Sequence, residues 1–249
     1  MQLTAAGRAL ADEAPGALTA LERALEMARL AGSAETTTIR LGYTPVASFG
    51  TLTALLEAIQ EEHPGLTIDA REFFSAEIPE RLHVGDLDIG LALFPPIPDG
   101  VAGELVRAER VAAVLGTHHR RAAAAEIPLA DLSDETLLLF PRRLAPAYYD
   151  GIVAACHQAG FTPRISTFEE PPVNAMLSRL ASGHEVGLAP ASFTEHAAKA
   201  GIGVTHRNIT TPTIKAEFSM LWSTSDPSPA VAGVVATTRR YAERHGWLG

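Results

Sequence analysis

Five segments near the start of the chain alternate between two hydrophobic spacings, and that alternation narrows the fold more than any other feature. "TIRLGY" is apolar and β-branched, as a strand requires. "SFGTLTALLEAIQEEHPG" then places Leu52, Leu55, Leu56 and Ile59 at helical spacing. "LTIDARE" returns to a strand pattern, "AEIPERLHVGD" reads as a short helix, and "LDIGLALF" is a third strand. The βαβαβ order predicts an α/β fold with a parallel sheet covered by helices.

A second series begins at "ERVAAVLGTHHRR". "ETLLLFP", "RISTFE" and "EVGLAPAS" read as strands, separated by the helix patterns "PAYYDGIVAACHQAG" and "PVNAMLSRLASG". The last strand-helix pair, "KAEFSMLWSTSD" and "PAVAGVVATTRRYAERHG", has no parallel partner left in that series and is expected to return to the first. The result is two Rossmann-like lobes joined by crossovers near Thr117 and near Trp222. Lobe I covers 38–117 and 222–249, lobe II covers 118–221, and a cleft lies between them.

Ligands of open α/β sheets collect beyond the carboxyl ends of the strands, where helix N-termini offer free amides and partial positive charge. The corresponding junctions here are "YTPVASFG", "EFFSAEIP", "LFPPIP", "LFPRRLAPAYY" and "LAPASF". They bring Thr44, Ser48, Phe49, Phe74, Ser75, Phe94, Phe140, Arg142, Arg143, Tyr148, Pro190 and Phe193 toward the cleft. Hydroxyls, aromatic rings and an Arg pair suit a small organic acid, aromatic acids included. An Arg-to-carboxylate bond there is expected to contribute about 1.5–3 kcal/mol.

Ahead of the first strand, "LTAAGRALADEAPGALTALERALEMARLAG" is a long helix pattern with Thr4 able to cap it and Pro15-Gly16 expected to kink it. Leu18, Leu21, Leu25 and Ala28 form a 3, 4, 3 seam, which predicts helix-to-helix packing and an oligomerisation role for residues 1–32.

Other chemistries find little support. The chain has no G-x-G-x-x-G, P-loop, G-x-S-x-G or H-E-x-x-H motif, so no catalytic residue, metal ligand or cofactor is assigned. His118-His119-Arg120-Arg121 reads as a solvated turn. Asp86 and Asp88 read as a turn residue and a surface partner. Cys156, the one cysteine, reads as a small buried hydrophobe. The formal charge of −9 makes the chain itself a poor ligand for nucleic acid phosphates. No apolar run is long enough to span a bilayer and no signal-peptide pattern is present, which points to a cytoplasmic protein without membrane contact.

The order of these segments resembles a LysR-type transcriptional regulator lacking its N-terminal winged helix. "LTAAGRAL" is similar to the end of that wing and the start of its linker helix. "IRLGYTP…LTALLEAIQEEHPGLTIDARE", "ERLHVGDLDIGLAL", "VLGTHHRRAAAAEIPLADLSDETLLLFPR" and "GHEVGLAPAS" resemble successive parts of its effector domain. The resemblance implies a fold like type 2 periplasmic binding proteins, with a small-molecule effector between the lobes. It also implies a homo-oligomer, dimer or tetramer, paired through the linker helix, and DNA contact only through the absent head. Members that respond to benzoate and muconate look closest around "LFPRRLAPAYY". Against them, Val46 stands where a hydroxyl residue is used on the first loop, Ser75 keeps the hydroxyl on the second, and Pro146 and Tyr148 match the second-lobe wall. Two other classes remain: a solute-binding protein of transport, which needs a secretion or lipoprotein signal and gives the Leu-seamed helix no purpose, and an enzyme on the same scaffold, which turnover assays on carboxylate substrates would test.

Overall fold

A computed structural model describes residues 37–167, 173–225 and 227–248, with Thr4, Ala6, Gly7 and Ala14 ahead of them. The seam of Leu18, Leu21, Leu25 and Ala28 lies outside the described residues.

The first five elements form the βαβαβ unit: β1 (Thr37–Tyr43), α1 (Thr51–Glu62), β2 (Leu66–Glu72), α2 (Ile78–His83) and β3 (Ile89–Leu93). β1 runs parallel to both β2 and β3. All five residues of β3 are buried, as a central strand covered on both faces demands. Helix α2 packs so closely over β3 that a Cβ at Gly90 would lie 2.3 Å from Ile78 Cγ2. The start of this sheet is pinned by Asp88, whose carboxylate accepts from the Arg40 amide at 2.9 Å and from its guanidinium at 3.0 and 2.9 Å. Asp86 pairs with Arg81 at 2.7 Å, so both acids are structural.

The long β4 (Val101–Gly116) comes next, followed by β5 (Glu126–Ile127), β6 (Thr136–Leu138) and α3 (Pro146–Gln158). Then come β7 (Arg164–Ser166), α4 (Val173–Ala181), β8 (Val186–Pro190), α5 (Ala191–Lys199) and β9 (Val204–Ile209). β10 (Lys215–Ser223) and α6 (Pro229–Arg244) complete the chain. The strand order is β2-β1-β3-β10-β4-β8-β6-β7, with β9 beside β4 and β5. β10 lies antiparallel between β3 and β4, which returns the last strand to the first series. Ser228 caps α6 by accepting from the Val231 amide, and α6 packs on α1.

The crossovers fall elsewhere than the sequence suggests. Residues 101–110 of β4 pair with β10, whereas residues 111–116 pair with β8 and β9. The chain therefore changes sheet at Arg110–Val111 within one strand and returns across residues 210–214, not near Thr117 and Trp222. Trp222 sits opposite Ile89 and Ala102, well inside the first sheet. A strand that continues from one sheet into the next carries no turn residues to mark the passage, and the Gly-Thr-His turn at its far end drew the boundary instead.

The His118-His119 turn also needs correction. His118 is exposed, but His119 is only 8% exposed, with Nε2 3.2 Å from Glu135. Among the described residues, no group of three potential ligands is close enough to hold a metal. Cys156 is buried, and burial pushes its thiol up to about 11, leaving it protonated and inert.

Burial alone would raise the Glu135 carboxyl, but hydrogen bonds and charge from Arg120 and His119 outweigh it and hold the group below its ordinary range. A depressed folded-state value contributes stability above the unfolded-state pKa of about 4.3. That contribution is lost as pH falls through the folded-state value. Glu135→Gln is expected to lower the melting temperature at pH 7 and to flatten its decline below about pH 4.5. Thermal denaturation from pH 7 to pH 3 provides the check.

Candidate functional site

The carboxyl ends of β1, β3, β6 and β8 open onto one shared cavity. Its first-half wall is Thr44, Pro45, Val46, Phe74, Ser75 and Leu93. Its second-half wall is built by Leu138, Leu139, Phe140, Ala145, Tyr148, Tyr149, Met176, Leu180 and residues 187–190, with Val114 at the junction. Strand ends from both halves meet here because β4 carries the chain directly from one sheet to the other.

Each polar group on the walls has a defined state. Thr44 follows β1 and is 2% exposed, yet its Oγ1 has no hydrogen-bond partner. A buried hydroxyl without a partner costs about 1–3 kcal/mol. Ser75 Oγ donates to the Leu93 carbonyl at 2.7 Å. Tyr148 Oη donates to the Leu188 carbonyl at 2.9 Å, and burial, with a smaller effect of the Glu109 charge, pushes its phenol upward so that it stays neutral. Tyr149 adds a second phenol to the wall, and the other lining side chains are apolar.

Contacts cross between the walls. The Ala76 amide donates to the Leu144 carbonyl at 3.2 Å. Phe74 meets Phe140 edge-on at 5.8 Å, and Phe94 stacks on Tyr148 at 6.2 Å. Beside the cavity, Glu109 on β4 accepts from the Ser192 amide and hydroxyl at 3.0 and 2.7 Å and from Arg107 at 3.2 Å. Arg107 also donates to Thr51 at the start of α1 and stacks on Trp247. Helices of both halves are thus tied to a single strand.

Of the residues expected at the site, Thr44, Val46, Phe74, Ser75, Phe140, Tyr148 and Pro190 line the cavity. The others do different work. Ser48 donates to the Pro45 carbonyl and closes a 3-10 turn, while Pro146 starts α3 behind the wall. Phe49 packs edge-on against Phe193 at 4.8 Å, and Phe193 is fully buried in the core. Phe94, held at φ 43°, contacts the wall from outside through Tyr148. Arg143 is also absent from the lining. Arg142 is the largest correction: it faces solvent, 63% exposed, and forks onto Asp150 at 2.7 and 2.6 Å. The nearest carboxylate of α3 claims it, so it supplies no charge to the cavity. Arg142→Ala is expected to change ligand affinity by less than about twofold and the melting temperature by no more than about 2 °C, because solvent screens so exposed a pair. Titration calorimetry and a melting curve check both.

The sequence reading missed Leu138, Met176, Leu180 and Leu188. From sequence they are indistinguishable from core residues; their position at the ends of β6 and β8 and on α4 was the available signal.

Two α/β halves meeting at an apolar cavity beyond their strand ends define the class of two-lobed small-molecule binding folds. The chain belongs to the LysR substrate binding domain family, whose model matches residues 32–243. It is 31% identical over 192 residues to the HTH-type transcriptional regulator TfdS of Cupriavidus pinatubonensis, covering 77% of this chain and 65% of that one. It therefore spans somewhat less than two thirds of that relative's length. The structure of CbnR, a LysR family transcriptional regulator, aligns over 97% of this chain and 82% of its own, at 24% identity and a TM-score of 0.77. The BenM effector binding domain with its effector benzoate aligns over 86% of this chain and 96% of its own, at 22% identity and a TM-score of 0.73. These likenesses establish the fold.

Proposed function

We propose that this domain senses a small organic effector in the cavity and transmits its occupancy to a DNA-binding head through a homo-oligomer, as part of a cytoplasmic transcriptional regulator. Thr44, Val46, Phe74, Ser75, Phe140, Tyr148 and Pro190 are the effector-contacting residues of this reading, and Leu18, Leu21, Leu25 and Ala28 its oligomer seam. The observation that carries it is the cavity with an unpartnered buried hydroxyl, in a chain of a family defined by substrate binding. The fold shared with a domain that holds benzoate supports a carboxylate as the starting chemistry. The domain acts by binding rather than turnover: an effector that prefers one arrangement of the two halves shifts the population toward it. A transport solute-binding protein shares the architecture, but the family match favours the regulator.

A thermal-shift screen of small carboxylic acids and their neutral analogues tests this. A ligand at about 100 times its dissociation constant adds ~2.7 kcal/mol of stability. For a chain this size the melting temperature is expected to rise by roughly 5–10 °C. A flat result across ring-sized acids, amides and alcohols would count against an effector cavity.

A further inference from the structure

The cavity's hydrogen-bonding polarity limits what it can hold. Resting on the effector reading above, we infer that its ligand is a ring-sized molecule with one acceptor head group, neutral or singly charged, and that Thr44 selects it while dicarboxylates are excluded.

Among the described residues that line the cavity there is no Arg, Lys or His, and Arg142 is spent on Asp150 outside it. A second carboxylate placed inside would lose its hydration against hydrocarbon with no cation to compensate, and a buried charge is kept only when it is paired. One anionic group is tolerable. The Thr44 hydroxyl, buried at the wall without a partner, is the donor for it. Two of the neighbouring hydroxyls, apart from Tyr149, have the opposite character. Ser75 and Tyr148 donate to the carbonyls of Leu93 and Leu188, so toward a ligand they present lone pairs. Lone pairs repel a second carboxylate but accept from an amide, phenol or alcohol.

The test compares benzamide, benzoate and terephthalate binding to the whole chain by titration calorimetry, with Thr44→Val and the cavity-filling Ala189→Phe as variants. Benzamide or benzoate is expected to bind at least about tenfold more tightly than terephthalate, and Thr44→Val to weaken the better one by about tenfold while the ligand-free melting temperature rises by a few degrees, since the unpartnered hydroxyl is removed. The valine keeps the shape and removes the donor. Tightest binding by terephthalate, or affinities unmoved by Thr44→Val but abolished by Ala189→Phe, overturns the ligand class and leaves the effector cavity standing. Binding that survives Ala189→Phe unchanged overturns both, since the ligand then sits elsewhere. If none of the three probes binds, the ligand class is overturned, and the effector reading is decided by the broader thermal-shift screen.

Discussion

Replacing Glu109 by alanine is expected to lower the melting temperature by about 5–15 °C, more than any other polar substitution discussed for this domain. Glu109 sits on β4 one residue before the strand changes sheet, with its side chain 10% exposed. It accepts the amide and hydroxyl of Ser192 at the start of α5, and it neutralises Arg107. Removing it leaves the part-buried Ser192 amide without its acceptor and the half-buried Arg107 guanidinium without its counter-charge. Unpairing buried partners in this way costs roughly 2–4 kcal/mol, and each kcal/mol shifts a chain this size by about 2–4 °C. Because Arg107 also reaches Thr51 on α1, the loss should be felt in both halves. A double-mutant cycle with Ser192→Ala should give a coupling of about 1–2 kcal/mol. An alanine variant melting within about 2 °C of the parent, with no coupling, would mean that the halves are held together by apolar packing alone.

The architecture was largely legible because its signals are local. β3 and β8 are unbroken apolar runs, and burial of all five residues in each is what such runs predict. The return of β10 to the first sheet followed from counting parallel partners. The crossovers were not legible, since β4 changes sheet without a turn. The site divides in the same way. Thr44 and Ser75 follow strand ends, and position alone found them. Arg142 also follows a strand end, yet an acid eight residues on captures its charge, a competition that depends on where the first turns of α3 point. Phe193 opens a helix next to the cavity but faces the core, because α5 packs onto β9 and β4 on that side. Leucines 138 and 188 could be told from core residues only by their place near strand ends, and Leu180 only by its place on α4, since a cavity is lined by the same residue types that fill a core.

That ambiguity makes the apolar wall the sharper target for mutation. Ala189→Phe is expected to reduce affinity for the cavity's ligand at least about 100-fold, equivalent to ~2.7 kcal/mol, while leaving the fold in place. Ala189 is nearly fully buried on β8, pairs with Ala112 and lies on the cavity wall, so a phenyl ring grown from it has the ligand's space to enter. Inserting bulk into a filled core typically costs 1–3 kcal/mol through strained side chains and displaced backbone. Here the cavity beside Ala189 gives the added ring apolar space to enter, which offsets part of that cost. The melting temperature without ligand should therefore move by only a few degrees, and the ligand-induced rise should vanish. Ala189→Leu, a smaller intrusion, should give an intermediate loss of affinity. Two variants that keep both the fold and the ligand-induced shift would place the bound molecule away from these walls, whatever its chemistry.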